Sequence, residues 1–310
     1  MINGLISVVV IFLIFAVGFF FTLRKLWPPN TTSVLSVIVV KIAAPALAVI
    51  SISDRFTPEL LRSSAFHLLI LVLYMILLFL TGKLFSKLLR LSEGKKHVFE
   101  IHFTFSNTIF IGLPINQIVF GNEGLPYIFT FFLVSLTMFW SLGAYELSKG
   151  SPLQSKEFSL KKIINPAFVA VIIGCILVGA DLTVPVALDQ SLRYLAALCV
   201  PLSLLVIGAN LVFFANGIPK IYKDEWLILI AKFIISPMYM FLLLNVFGVG
   251  GLAFKVFMLT ATMPCHMQTT ILAQYYEVEG AYAAKLVSIS TLVSLVTIPI
   301  FAALLLAANF

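Results

Sequence analysis

The chain has 310 residues with a formal net charge of +7; 61% are hydrophobic, 11% are charged, and the mean hydropathy is +1.10. Soluble domains carry about one quarter charged residues, so this composition excludes a water-soluble globular protein. A bilayer span needs about 20 apolar residues, and the chain has room for about ten spans with short connections. We therefore predict an all-α integral membrane protein without a large extramembrane domain.

Ten apolar segments predict ten transmembrane helices. In chain order they cover residues 4–23, 32–53, 63–82, 98–120, 125–147, 164–181, 190–214, 225–247, 252–276 and 282–307. The first segment is predicted to be an uncleaved helix and not a signal peptide, because its basic residues, Arg24 and Lys25, follow it.

The distribution of basic residues predicts the orientation. Fourteen Lys and Arg residues lie in or beside the connections that follow the odd-numbered helices, and four lie at those that follow the even-numbered helices. Basic connections stay in the cytoplasm, so both termini should face outward across a cytoplasmic membrane. The net charge therefore reflects topology, and we expect no nucleic-acid partner.

The polar stretch 148–163 is predicted to be a cytoplasmic linker between two five-helix repeats, residues 1–147 and 164–310. Prolines support the repeat, since Pro45 and Pro114 are 69 residues apart and Pro201 and Pro264 are 63 apart. An odd number of helices per unit inverts the second copy, which is a frequent plan in secondary transporters. The alternative is that prolines fall in these helices by chance.

The fourth segment is predicted to break at Gly112–Pro114, because proline removes a backbone donor and glycine resists unwinding weakly. The ninth is predicted to break at Pro264 in the same way. Both second half-helices would then begin near the midplane with their N–H groups pointing inward, which favours an anion.

Polar residues cluster around both predicted breaks and are therefore candidates for a substrate-binding site. They are Asn107, Thr108, Asn116 and Gln117 in the fourth segment and His266 and Gln268 in the ninth. Polar groups are costly within a bilayer and tend to line cavities. The alternative is a pair of kinked structural helices without a site.

Ionisable residues at depth give the interior a positive character. Lys41 is about ten residues inside the second helix and is a candidate to balance a substrate's charge; Lys232 is about seven inside the eighth and could instead snorkel to the surface. His67 is expected near the outer interface. The acids Glu100, Glu123, Glu146, Asp181 and Glu277 sit near helix ends. Without acids at mid-membrane, the interior favours anions over cations.

The sequence shows no sign of catalysis. It contains no HExxH pair, nucleophile elbow or phosphate loop, and it gives no reason to expect a cofactor or metal. Cys265 and His266 are adjacent, so on a helix they diverge by about 100° and cannot form a nucleophile–base pair. Cys175, Cys199 and Cys265 are expected to be buried small hydrophobic residues.

At these positions the sequence resembles the auxin efflux carrier family, which includes plant PIN-type carriers and bacterial organic-acid permeases. The resemblance rests on Asn107, Thr108, Gly112 and Pro114 followed by Phe120–Gly121, and on Pro264 followed by Ala273 and Tyr275–Tyr276; supporting matches are Asn165–Pro166, Pro201 to Gly208, and Lys232 ahead of Pro237.

The resemblance implies that the fourth and ninth helices cross at their broken points, beside a scaffold of the first, second, sixth and seventh helices. It implies a carboxylate bound near the crossover with Asn107 as a ligand, an elevator mechanism and a homodimer. Some PIN-type carriers have an Asp–Lys pair on the third helix, where this chain offers only His67.

The sequence thus predicts a secondary transporter of a small organic anion, a mono- or dicarboxylate. The predicted site comprises Asn107, Thr108, Gly112, Pro114, Asn116, Pro264, His266, Gln268 and Lys41. Two alternatives stay open. One is a proton- or sodium-coupled transporter of similar architecture, and the other is a membrane receptor or assembly subunit.

Overall fold

The computed structural model describes residues 2–28, 30–55, 58–151, 166–214, 217 and 219–307. Within these ranges the regular structure is helical, apart from one isolated antiparallel bridge between Ser106 and Cys265. This confirms the all-α class. The predicted linker 148–163 lies almost wholly outside the described residues.

The helices follow the predicted apolar segments closely. The first half of the chain contains α1 (Ile2–Leu23), α2 (Thr31–Ile38), α3 (Ala44–Arg55), α4 (Pro58–Leu88), α5 (Glu93–Thr104), α6 (Leu113–Phe120), α7 (Leu125–Met138) and α8 (Ala144–Lys149). The second half contains α9 (Pro166–Gly179), α10 (Val186–Ala197), α11 (Cys199–Asn210), α12 (Lys223–Ile230), α13 (Ser236–Val246), α14 (Gly251–Ala261), α15 (Met267–Tyr275) and α16 (Gly280–Ala307).

Within the described part of the chain, six helical stretches are long and apolar enough to cross a membrane, which supports a multi-pass membrane protein. They are Thr31–Asp54, Phe66–Leu88, Thr108–Lys149, Val186–Asn210, Lys223–Val246 and Gly280–Ala307, and shorter apolar helices cover Leu13–Leu23, Phe168–Gly179 and Gly251–Ala261. Thr108–Lys149 has 42 residues, about twice the length of one span. The chain turns within it at Gly121, whose φ of 69° is readily adopted only by glycine.

Wider π-helical turns join several of these helices. They cover Val39–Ala43, Thr108–Gly112, Phe139–Gly143 and Ala231–Ile235. Three of the four end two residues before a proline, at Pro45, Pro114 and Pro237. Because proline has no N–H to donate, the turn before it widens and the helix continues.

The helices of the predicted scaffold pack against one another. The helix α1 lies against α11, and α3 lies against α9 and α10. The contact between α1 and α11 is close at two glycines. A Cβ on Gly18 would lie 2.2 Å from the Leu205 carbonyl oxygen, and one on Gly208 would lie 2.1 Å from the Phe15 carbonyl oxygen. Glycine is therefore required at both positions for the backbones to approach, as in other membrane helix pairs.

Acidic residues near the helix ends are buried and paired with lysines. Glu146 lies 3.3 Å from the Lys83 ammonium and 3.1 Å from that of Lys149. Asp224 pairs with Lys95 at 2.9 Å. These pairs join α4, α5, α8 and α12 at the end of the molecule that the basic-residue count predicts to be cytoplasmic.

Candidate functional site

The first helix interruption lies at Phe105–Asn107. The helix α5 ends at Thr104, Phe105 is extended (φ −94°, ψ 139°), and helical structure resumes at Thr108. The Asn107 side-chain oxygen accepts a hydrogen bond from the Phe110 amide at 3.2 Å and so caps the new helix.

This position corrects the sequence prediction, which placed the break at Gly112–Pro114. At Gly112–Pro114 the chain is helical, because a π turn accommodates the proline, which has no N–H to donate. In this turn the Gly112 amide donates to the Asn107 carbonyl oxygen at 2.9 Å. Pro114 follows this π turn, and the helix continues through it into α6.

The second interruption covers Thr262–His266, between α14 and α15, and it includes Pro264. It pairs with the first in antiparallel fashion, since the Asn107 amide donates to the Pro264 carbonyl oxygen at 2.8 Å. The Cys265 amide donates to the Ser290 hydroxyl at 3.0 Å. The two interruptions are therefore in direct contact.

A lysine holds the first interruption. The ammonium group of Lys232 donates to the Phe105 carbonyl oxygen at 2.8 Å and to the Ser106 hydroxyl at 3.2 Å, and the side chain is 0% exposed. The snorkelling alternative is therefore wrong. Among the described residues, no carboxylate lies within ion-pair distance of Lys232.

The structure does not support the predicted role of Lys41 in balancing the charge of a substrate. Its side chain is exposed and lines an open groove with Pro45, Val169 and Leu195. No residue of either interruption lines that groove. Lys41 is therefore separate from the interrupted helices. The buried lysine beside the interruption is Lys232, in the position that we expected Lys41 to occupy.

Both interruptions border one small cavity. It is lined by Asn107, Thr108, His266, Met267 and Gln268, together with Ile109, Phe110, Phe132, Ser135 and Leu136. Its free volume is about 10 Å³, enough for about one water molecule. The helices that begin at Thr108 and Met267 both present their N-terminal ends to it, which places two positive dipole ends at one point.

Two buried polar atoms at this cavity have no hydrogen-bond partner within the described part of the chain. They are Nδ2 of Asn107 and Nδ1 of His266. The Asn107 oxygen is occupied by the helix cap, so its amide nitrogen is left with two unused protons. Buried donors without partners are rare in folded proteins, and these two are available to a ligand with acceptor oxygens.

The other predicted site residues lie outside this cavity. Asn116 donates to the Gly112 carbonyl oxygen of its own helix at 2.8 Å and to the Thr260 hydroxyl of α14 at 3.2 Å, so both its amide protons are used within the protein. Gly112 and Pro114 belong to the helix that follows Asn107, and Pro264 contributes its carbonyl group to the pairing of the interruptions. The structure thus brings four predicted residues together: Asn107, Thr108, His266 and Gln268.

Two further expectations concern the cysteines and His67. Cys199 and Cys265 are buried and Cys175 is half-buried, and all three are free thiols. His67 is 8% exposed and packs against the rings of Tyr127 and Phe257. It is therefore a core residue, and its position near the outer interface stays a prediction.

Several residues around the interruptions were not predicted from the sequence. Ser106 and Ser290 hold the two extended segments, and serines are too common to be recognised without the structure. His102 is fully buried on α5, three residues before Phe105. A histidine in the middle of an apolar segment was a usable signal.

Comparison with known proteins agrees with this architecture. Residues 4–302 match the family described as membrane transport protein. An uncharacterized transporter of Methanocaldococcus jannaschii is 27% identical over 310 residues, which cover 96% of this chain and 98% of the relative. An uncharacterized transporter of Methanothermobacter thermautotrophicus is 27% identical over 280 residues, which cover 88% and 89% of the two chains. The chain belongs to this membrane transport protein family, the auxin efflux carriers.

Proposed function

We propose that this transporter carries a small organic anion, bound through a carboxylate at the two helix interruptions. The observation that carries the proposal is the fully buried ammonium group of Lys232, which has no carboxylate partner within the described residues. A charge in a low-dielectric interior is costly unless it is paired. A substrate carboxylate would supply the missing negative charge.

The donors at the cavity define how the carboxylate would bind. The free amide nitrogen of Asn107 and Nδ1 of His266 would each donate to one carboxylate oxygen. Gln268 lines the same cavity, and the two helix N-termini add positive potential. No Lys or Arg side chain lines it, so Lys232 would act from behind the extended segment through its charge.

The substrate needs more room than this conformation provides. A larger cavity of about 350 Å³ lies between α11 and α15–α16 and shares Met267 with the small one. Asn210, Thr270 and Ser288 are among its lining residues. We infer that this cavity is the route between the site and the predicted cytoplasmic side.

For the transport cycle we propose an elevator in a ten-helix, inverted-repeat fold with both termini outside. The packing of α1 on α11 and of α3 on α9 and α10 supports a fixed scaffold. The paired interruptions would then move with α4–α8 and α12–α16 as one unit, carrying the anion past the scaffold. The repeats would be residues 1–147 and 164–310, and the chain would work as a homodimer in the cytoplasmic membrane.

The test is counterflow in proteoliposomes with radiolabelled L-lactate, L-malate, succinate and indole-3-acetate. Asn107→Asp keeps the oxygen that caps the helix but replaces the donor NH₂ with a second, negatively charged oxygen. We expect it to fold normally and to lose at least 100-fold in transport, because it repels the carboxylate.

The matched control is Asn122→Asp. Asn122 is exposed and lies outside the site. Its side-chain oxygen accepts a hydrogen bond of 2.9 Å from the Gln117 amide nitrogen. This variant should transport within about twofold of the wild type. Full transport by Asn107→Asp would exclude the proposed site. No counterflow of any probe, with a proton or sodium flux instead, would favour a coupled cation transporter; no flux at all would favour a receptor or assembly subunit.

A further inference from the structure

A second buried titratable group lies behind the proposed site. His102 is 0% exposed, and neither of its ring nitrogens has a hydrogen-bond partner in the described part of the chain. A neutral imidazole carries one donor and one acceptor, so both of its polar functions are unsatisfied. Such a group within a membrane interior is expensive and indicates a functional role.

Its neighbours are positively charged or neutral. His102 lies three residues before Phe105, whose carbonyl oxygen binds the Lys232 ammonium group. The titratable groups that act on His102 electrostatically are Lys232 and His266. A proton on His102 would therefore meet the charge of Lys232 with nothing negative beside it.

The charged groups on the helices packed against α5 are engaged elsewhere. Glu146 contacts Lys83, Lys149 and His97; Asp224 contacts Lys95 and Tyr282; and Glu225 contacts Lys285. On α5 itself Glu100 accepts from Ser86 through one oxygen, and its other oxygen has no partner within the described residues. Glu100 lies two residues from His102, about 200° around the helix, so its side chain points away from the imidazole. None of these carboxylates compensates a charge on His102. Compensation has to come from a ligand.

We propose that His102 binds one proton each time a carboxylate enters the site, so that the chain carries the anion and the proton together. This inference rests on the proposed function. The incoming carboxylate cancels the charge of Lys232, and the imidazole then accepts a proton at its free ring nitrogen. On the other side the carboxylate leaves and the imidazolium releases the proton. One anion and one proton cross, no net charge moves, and Lys232 keeps its proton throughout.

Binding and protonation are linked reciprocally. If one proton is gained with each anion, the affinity for the carboxylate should rise by up to about tenfold for each pH unit of acidification. A purely structural histidine would leave the affinity independent of pH.

The experiment is isothermal titration calorimetry of the purified full-length protein at pH 6, using whichever of the four carboxylates gives counterflow. Titrations in two buffers of different ionisation enthalpy give the number of protons taken up per anion bound. The wild type should take up close to one proton. His102→Gln should bind the anion with an uptake near zero.

The matched control is His67→Gln, the same substitution at a second buried histidine that packs against Tyr127 and Phe257. It should keep the wild-type proton number. Equal proton uptake by the wild type and His102→Gln would overturn the assignment, and zero uptake by the wild type would overturn it without any variant. If His102→Gln does not fold, His102→Asn takes its place. Absence of binding by every carboxylate would instead contradict the proposed function.

Discussion

The two helix interruptions meet in one place but are built by different means. At Phe105–Asn107, side chains bind backbone groups that the interrupted helix leaves unpaired: the Lys232 ammonium binds the Phe105 carbonyl oxygen, and the Asn107 side-chain oxygen accepts from the Phe110 amide. At Thr262–His266 the chain contains Pro264, and its principal side-chain support is the Ser290 hydroxyl. The first interruption thus depends on a buried charge, whereas the second contains a proline, which disfavours a regular helix.

This difference indicates how the two halves divide their tasks. The first interruption brings positive charge to the middle of the protein and leaves the Asn107 amide free for a ligand. The second supplies a fixed extended segment against which the first is paired. In the proposed mechanism, the first interruption would hold the counter-charge of Lys232, and the second would supply the rigid frame.

Of the variants predicted here, Lys232→Met should lower transport the most. A smaller effect would contradict the dependence of the first interruption on a buried charge. It removes the counter-charge and both hydrogen bonds to the first interruption. Since a bond to a charged group contributes about 1.5–3 kcal/mol, we expect transport of the carboxylate to fall by at least 100-fold in the counterflow assay.

Lys285→Met is the matched control, because it removes a lysine that pairs with Glu225 at 2.7 Å near the predicted cytoplasmic surface. It should lower thermal stability yet leave transport within about threefold of the wild type. Normal transport by Lys232→Met would show that the buried charge does not serve the substrate.

Pro264→Ala and Pro114→Ala should differ, although the sequence treats the two prolines as equivalent. Alanine at position 264 restores an N–H within the extended segment and favours helix there by about 3 kcal/mol. We expect transport to fall about tenfold. Alanine at position 114 sits in a helix that already continues through it, so transport should stay within about threefold. Equal losses in the same assay would mean that Pro114 also maintains an interruption.

Much of the helical architecture could be predicted from hydropathy, because a bilayer imposes the length and polarity of each span. The interruption at Phe105–Asn107 could not. Glycine and proline usually disrupt helices, but here a π turn accommodates Pro114 and the chain stays helical through Gly112. The break occurs instead where Lys232, more than 100 residues away in the chain, supplies a partner for the Phe105 carbonyl oxygen.

The candidate site could likewise be predicted from the sequence only in part. Asn107, Thr108, His266 and Gln268 could be found from polarity within apolar segments, and they do share a cavity. The ranking of Lys41 above Lys232 was wrong because depth along a helix does not reveal which face is buried. Lys41 faces outward from its π turn, whereas Lys232 faces the interrupted helices.

Ser290→Ala tests the frame at the second interruption. It removes the acceptor of the Cys265 amide, and a buried donor left without a partner costs about 1–3 kcal/mol. We expect thermal unfolding in detergent to occur a few degrees lower, with a smaller loss of transport than for Pro264→Ala. Ser191→Ala is the control, since its exposed hydroxyl donates to the Ala187 carbonyl oxygen of its own helix, α10, away from both cavities. An unchanged melting temperature for Ser290→Ala would remove this residue from the frame.

Gly112→Ala should have the smallest effect on stability and transport. The direction of the change in melting temperature distinguishes a helix from a break at this position. Gly112 is buried in the π turn and makes helical hydrogen bonds, and a Cβ there would meet the Asn107 carbonyl oxygen at 3.4 Å and Met263 Cγ at 3.6 Å, which are tolerable contacts. Because alanine favours a helix over glycine by about 1 kcal/mol, the melting temperature should stay equal or rise slightly, with transport retained. A marked loss of transport at normal stability would show that the helix has to open at Gly112 during the cycle, and the break predicted from sequence would then belong to another conformation.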